Sequence, residues 1–261
     1  MKPLASVLRA VFVLGCGVVT ILAALHLAPR SLPAADEGAS GAAKSPPAAG
    51  KVYGEWRIRV KPDRGADYQK LIESKGLPLF RAAGGRMVGW WTTLIGDLYE
   101  QVTIWEYDGL SAFEKAIGFL GPNADFAAFV RERDPLLSGE ESRFLAPAAS
   151  AERPEGVDRS TWVIHEVHRV PLARQDEYLK FMQTMLPVLK QSGFRPLGPF
   201  RTAVGQWTEI TTLFRFDSLK ERDERITAFA ASPAGKLYAE TIGRLAEEVQ
   251  TRLLTPAPFV K

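Results

Sequence analysis

Cysteine is almost missing from these 261 residues: the single one, Cys16, lies in an apolar N-terminal stretch. The rest of the chain has no thiol for a disulfide, a thiolate metal site or a cysteine nucleophile. Histidine is nearly as scarce. Of the three, His26 belongs to the same N-terminal stretch, which leaves His165 and His168. An excess of one charge sign is also lacking. The formal charge is +3, but Lys2, Arg9 and Arg30 are the only charged residues before Asp36, so the remainder balances at 30 basic against 30 acidic residues. That balance gives no electrostatic reason to expect nucleic acid as a partner. The chain contains no Walker loop, dinucleotide fingerprint, H-E-x-x-H or serine–histidine–acid arrangement. Together these absences point away from an enzyme and leave a binding module as the first expectation.

What the N-terminus does contain is a basic start followed by an apolar run from about Ala10 to Ala28. Such a run is long for a signal peptide and close to the length that spans a bilayer. Lys2 and Arg9 would hold its start in the cytoplasm and place the bulk of the chain outside. Residues 1–35 therefore read as a signal peptide or a retained signal anchor, and residues 36–50, "DEGASGAAKSPPAAG", as a flexible tether. The protein is expected to be exported, either secreted or held at the membrane by this segment.

The body of the chain is written twice. A shift of 109 positions lays "WEYDGL" (105–110) on "FRFDSL" (214–219) and Leu77-Pro78 on Leu186-Pro187. The same shift lays Gly84, Gly89 and Gly96 on Gly193, Gly198 and Gly205, and "RFLAPA" (143–148) on "RLLTPA" (252–257). The two copies are placed at 51–148 and 161–261, with residues 149–160 as connector.

Each copy reads in the same order. "EWRIRV" (55–60) and "WVIHEVHRV" (162–170) are opening strands, ended by Pro62 and Pro171. In the second copy, Tyr178, Phe181, Met182, Met185, Leu186 and Leu189 fall on one helical face. "GGRMVGWWTTLIGDLYEQVTIWEYD" (84–108) alternates at strand period, turns at Gly96-Asp97 and runs back, which makes a β-hairpin with both faces covered. "SAFE" (111–114) and "SLKE" (218–221) fit capping boxes, and "SPAG" (232–235) starts a further helix. A short strand near Arg143–Leu145 or Arg252–Leu254 closes each unit. The order βαββαβ predicts an α+β fold, with two tandem ferredoxin-like units closing their open sheet faces on each other as an intramolecular dimer.

The hairpin, with its W-T-T, its I-G-x-L turn and its aromatic second strand, resembles the core motif of the NIPSNAP family. "TRLLTPAPF" (251–259) is similar to that family's C-terminal signature, and the second copy keeps the glycines without the W-T-T. The resemblance implies a dimeric α+β barrel. Its superfamily also holds monooxygenases and haem-degrading enzymes, whereas no reaction attaches firmly to the family itself. Thr103 stands where many members have a histidine, so no role of that histidine carries over.

Among residues that could do chemistry, His165 and His168 point to opposite faces of one strand, which argues against a shared metal site. His165 is the candidate general base or haem ligand, with Glu106 and Arg86 as assistants. Glu106 sits on an apolar stripe and is expected to pair with Arg215, its counterpart under the shift, across the internal interface. Trp91, Trp105, Tyr107 and Phe214 are the candidate ligand-binding aromatics, for a small apolar molecule. The expected activity is non-catalytic binding of such a molecule or of a protein partner, with no metal and no cofactor. The alternative is a monooxygenase-type or haem-handling enzyme. Association beyond the internal pairing is left open.

Overall fold

The computed structural model describes residues 50–152 and 161–260. The leader and most of the tether lie outside the described residues. Among those described, no helix is long and apolar enough to cross a membrane.

The first half runs β1 (Val52–Val60), α1 (Gly65–Leu71), a π-helical turn (Ile72–Gly76), α2 (Leu77–Ala82), β2 (Arg86–Ile95), β3 (Glu100–Tyr107), α3 (Leu110–Leu120), α4 (Ala124–Arg133) and β4 (Leu137–Glu152). The second runs β5 (Trp162–Arg169), α5 (Leu172–Gln191), β6 (Arg195–Val204), β7 (Glu209–Phe216), α6 (Leu219–Ala231), α7 (Pro233–Leu245) and β8 (Glu248–Pro256). The predicted strand order holds, α7 is the further helix expected from Ser232, and α4 is an additional helix at the matching place in the first half. That last strand is longer than the sequence suggested, and β4 reaches past residue 148 to Glu152.

The eight strands form one closed antiparallel barrel in the order β1-β3-β2-β8-β5-β7-β6-β4. The halves therefore do more than press sheet faces together. They are hydrogen-bonded edge to edge, β2 to β8 and β4 to β6. One row of side chains points inward, where Tyr53, Trp91 and Ile104 of the first half meet Val163, Phe200 and Leu213 of the second in a single apolar cluster. The other row faces outward under the helices, which explains why both sides of the hairpin are apolar.

Local chemistry sets the helix starts. Ser218 caps α6 as predicted by accepting from the Glu221 amide at 3.0 Å, while the Glu221 carboxylate reaches one residue further back than a capping box and accepts from the Asp217 amide at 2.5 Å. Ser232 caps α7 ahead of Pro233. The box expected at Ser111 does not form, because α3 starts two residues earlier, at Leu110 behind Gly109, whose φ of 93° suits glycine.

The repeat is confirmed in three dimensions, with one correction to its register. Glu55 lies opposite Ile104 and Arg143. His165 lies opposite Leu213 and Arg252. Thus β1 and β5 correspond at an offset of 110, whereas the strands after the first helix correspond at 109. The π turn of the first half accounts for the extra residue: it is a one-residue insertion into a helix that α5 forms without one.

Candidate functional site

Two of the buried polar groups among the described residues bear on function. The first lies inside the barrel, on its internal two-fold axis. Glu55 and His165 occupy equivalent positions and meet there, with His165 Nε2 3.2 Å from Glu55 Oε2 and both side chains fully buried. Arg143 donates to Glu55 Oε1 from Nε at 3.0 Å and also contacts Glu209 through Nη1. Its counterpart Arg252 contacts Glu100 at 2.7 Å. Arg143–Glu209 and Arg252–Glu100 are thus one ion pair repeated by the pseudo-symmetry, each joining the two halves. Burial pushes the His165 imidazole below its usual pKa, and the nearby Arg143 and Arg252 guanidiniums add to that against the pull of Glu55. For Glu55, burial pushes the carboxyl up, but Arg143, His165 and Arg57 outweigh it and hold the group well below the usual carboxylate range.

The second group lies outside the barrel wall of the first half, between the β1–β3–β2 surface and helices α1 to α4. A cavity of about 60 Å³ opens there, walled by Trp56, Trp90, Trp105, Phe80, Phe113 and Phe129. At its polar end sit Tyr68, Arg133 and Glu140. Arg133 Nη2 lies 3.0 Å from Glu140 Oε2 and 3.2 Å from Asp134 Oδ1. Tyr68 is fully buried, and its hydroxyl has no hydrogen-bond partner. Burial raises the Tyr68 pKa, with Arg133 lowering it and Glu140 raising it further, so the three groups sense one another. Burial likewise raises Glu140 against the opposing charge of Arg133. A buried hydroxyl without a partner costs about 1–3 kcal/mol, which marks this end of the cavity as a place for a polar group.

The corresponding space in the second half is packed. Phe194 stands where the first half has Gly85, and its ring lies 5.9 Å from both Phe214 and Phe216, the counterparts of Trp105 and Tyr107. A Cβ built on Gly85 would come within 3.0 Å of Trp105 and 3.2 Å of Tyr107. The hydroxyl of Tyr178, the counterpart of Tyr68, bonds His168 Nδ1 at 2.7 Å, and His168 Nε2 lies 3.2 Å from Glu166. In the first half the position of His168 is taken by Ile58, so Tyr68 has nothing equivalent to reach.

The residues singled out from sequence are distributed over several places. Trp105 and Tyr107 line the cavity. Trp91 points into the barrel, and Phe214 belongs to the packed core of the second half. The four therefore do not converge on one ligand. Glu106 and Arg86 do meet, with Arg86 donating to both carboxylate oxygens at 3.1 and 2.6 Å. Lys51 and Tyr53 complete that cluster at 2.9 and 3.0 Å, and its charge draws the Arg86 pKa up. The expected Glu106–Arg215 pair is not among the ion pairs between described residues. His165 and His168 do face opposite sides, as predicted. His165 does not suit haem: it is enclosed by the barrel and its Nε2 is engaged by Glu55. Sequence reasoning passed over Glu55, Arg143, Glu209, Tyr68, Arg133 and Glu140. The aligned Gly85 and Phe194 were the available signal for the cavity, one position beyond the matched Gly84 and Gly193.

A closed eight-stranded barrel built from two ferredoxin-like halves places the molecule in the dimeric α+β barrel class. A candidate monooxygenase from Fusobacterium nucleatum shares this fold at a TM-score of 0.60 and 13% identity, over 80% of this chain and 93% of that one. An anthrone oxidase-like protein does so at a TM-score of 0.56 and 12% identity, over 79% and 91%. Within the class, the chain belongs to the NIPSNAP family, whose sequence profile matches residues 55–152 and 168–261. It is similar to NipSnap homolog 1 of Danio rerio, with 23% identity over 76% of this chain and 71% of that protein. It also matches NipSnap homolog 2 of Homo sapiens, with 24% identity over 72% of this chain and 63% of that protein.

Proposed function

We propose that this protein is a binding module for a small, mostly apolar ring compound, held in the aromatic cavity of its first half. Its basic and apolar leader would place that cavity on the outer side of a membrane. The observation that supports this reading is the aromatic cavity of the first half, set against the packed second half. Phe194 fills the second half, whereas at Gly85 Trp105 and Tyr107 close over the backbone and the open space lies on their far side. Room of about 60 Å³ is under half of the ~150 Å³ apolar cavity that accepts benzene, so a single ring is the largest occupant and enters only as the half-buried Trp56, Phe80 and Tyr107 give way. A mostly apolar lining with a few polar groups is the usual composition of such pockets.

Fluorobenzene followed by 19F NMR tests this. Saturable line broadening is expected with residues 51–261, and none with the double variant Gly85→Phe/Trp105→Phe, which rebuilds the packed half in the open one. Absence of saturation in the unmodified protein, or equal binding by the variant, would overturn the proposal.

A second reading, oxidation of the bound ring, draws on the fold shared with a candidate monooxygenase. It requires oxygen uptake that depends on ligand and is lost when the cavity is plugged.

A further inference from the structure

Resting on that reading of the cavity, we infer that its ligand is a hydroxy-substituted single ring, a phenol, recognised through Tyr68 and Glu140. The cavity wall offers flat hydrocarbon contact on most sides, so the ring is chosen by the aromatic lining. The polar end is more selective. Tyr68 presents a fully buried hydroxyl that no protein group engages, and it can donate. Glu140 presents Oε2, which the Arg133 guanidinium engages at 3.0 Å and which keeps a second lone pair for another donor. One unused donor and one acceptor with spare capacity line the same cavity. A phenolic hydroxyl meets both at once, accepting from Tyr68 and donating to Glu140. An ether meets only Tyr68, and a bare ring meets neither. Satisfying the orphaned hydroxyl while adding a bond to the carboxylate is what converts hydrophobic filling into selection.

The size of the space limits the ligand to about one ring. The second half supports the assignment by showing what the position needs. There, the hydroxyl of Tyr178 is satisfied by His168, an arrangement that replaces a ligand with a side chain.

Three probes read by 19F NMR titration test the inference: fluorobenzene, 4-fluoroanisole and 4-fluorophenol. The expected order of affinity is phenol, then ether, then bare ring, with about tenfold between the first and the last, as one or two net hydrogen bonds would give. Tyr68→Phe is expected to bring 4-fluoroanisole level with fluorobenzene and to leave 4-fluorophenol a smaller advantage, carried by Glu140 alone. Equal binding of the three probes to the unmodified protein would overturn the inference whether or not the variant folds. A preference of undiminished size in Tyr68→Phe would also overturn it. If fluorobenzene and 4-fluorophenol both fail to bind, the ligand-binding reading falls with it; if fluorobenzene binds and 4-fluorophenol is no better, only the phenol assignment falls.

Discussion

The two halves of this barrel have the same strand order and the same turns, yet they spend their buried volume differently. In the second half, Phe194, Phe214, Phe216 and Phe229 fill the space between sheet and helices, and Tyr178 is tied to His168. In the first half, the equivalent of Phe194 is Gly85, larger tryptophans retreat to the walls, and Tyr68 is left without a partner. The difference teaches that duplication relaxed the demand on each copy. One half supplies packing, and the other can tolerate a hole and an unsatisfied hydroxyl.

The sharpest way to break the comparison is at the seam that holds the halves together. Arg143 touches both Glu55 and Glu209, so Arg143→Ala leaves Glu209 uncompensated and Glu55 with only His165 and Arg57, and is expected to cost about 3–5 kcal/mol in chemical denaturation. Arg252→Ala, which removes the single Glu100 contact, is expected to cost less, about 1–3 kcal/mol. Equal costs would show that the seam is energetically symmetric.

The tyrosine pair sharpens it next. Tyr178→Phe strands His168 Nδ1 and is expected to destabilise by about 1–3 kcal/mol. Tyr68→Phe removes a hydroxyl that has no partner and is expected to be neutral within about 0.5 kcal/mol, or stabilising. Similar losses at both sites would mean that the halves are not packed as differently as described.

The smallest effect is pH-dependent and follows from Glu55 and His165, an acid in one half and a base in the other at one equivalent position. Both folded-state pKa values are lowered, so both contributions are complete at higher pH and are lost with acid. For His165 the loss begins as pH falls below its ordinary 6.5, and for Glu55 as it falls below 4.5. Melting temperature should therefore decline gently from pH 6.5 downward and more steeply below pH 4.5. His165→Gln should flatten the first part only. A flat profile in the unmodified protein between those values would contradict a buried neutral imidazole.

Much of the fold was legible in the sequence because a repeat of domain length carries its own check: Gly84 and Gly193 share a φ near 90° for the same turn. Strand period and the glycine punctuation gave the hairpins, and the doubly apolar hairpin gave two covered faces. Edge-to-edge closure was harder to see, since nothing local in β2 or β8 distinguishes a paired edge from a free one. The buried ion pairs were missed because Glu55 and Arg143 occur in strands rich in charge, where alternation alone does not say which face is enclosed. Tyr68 escaped comparison with Tyr178 because the π turn moves the register by one residue, from 109 to 110. Gly85 against Phe194 was readable and needed only the next column of the same alignment.

Every strand of the barrel has a hydrogen-bonded neighbour on each side. Among the described residues the sheet therefore has no free edge strand, the feature by which sheet proteins most commonly recruit an extra strand from another polypeptide. A partner of the described barrel would meet side chains rather than backbone, for instance at the hairpin ends where Leu98 and its counterpart Trp207 stand in solvent.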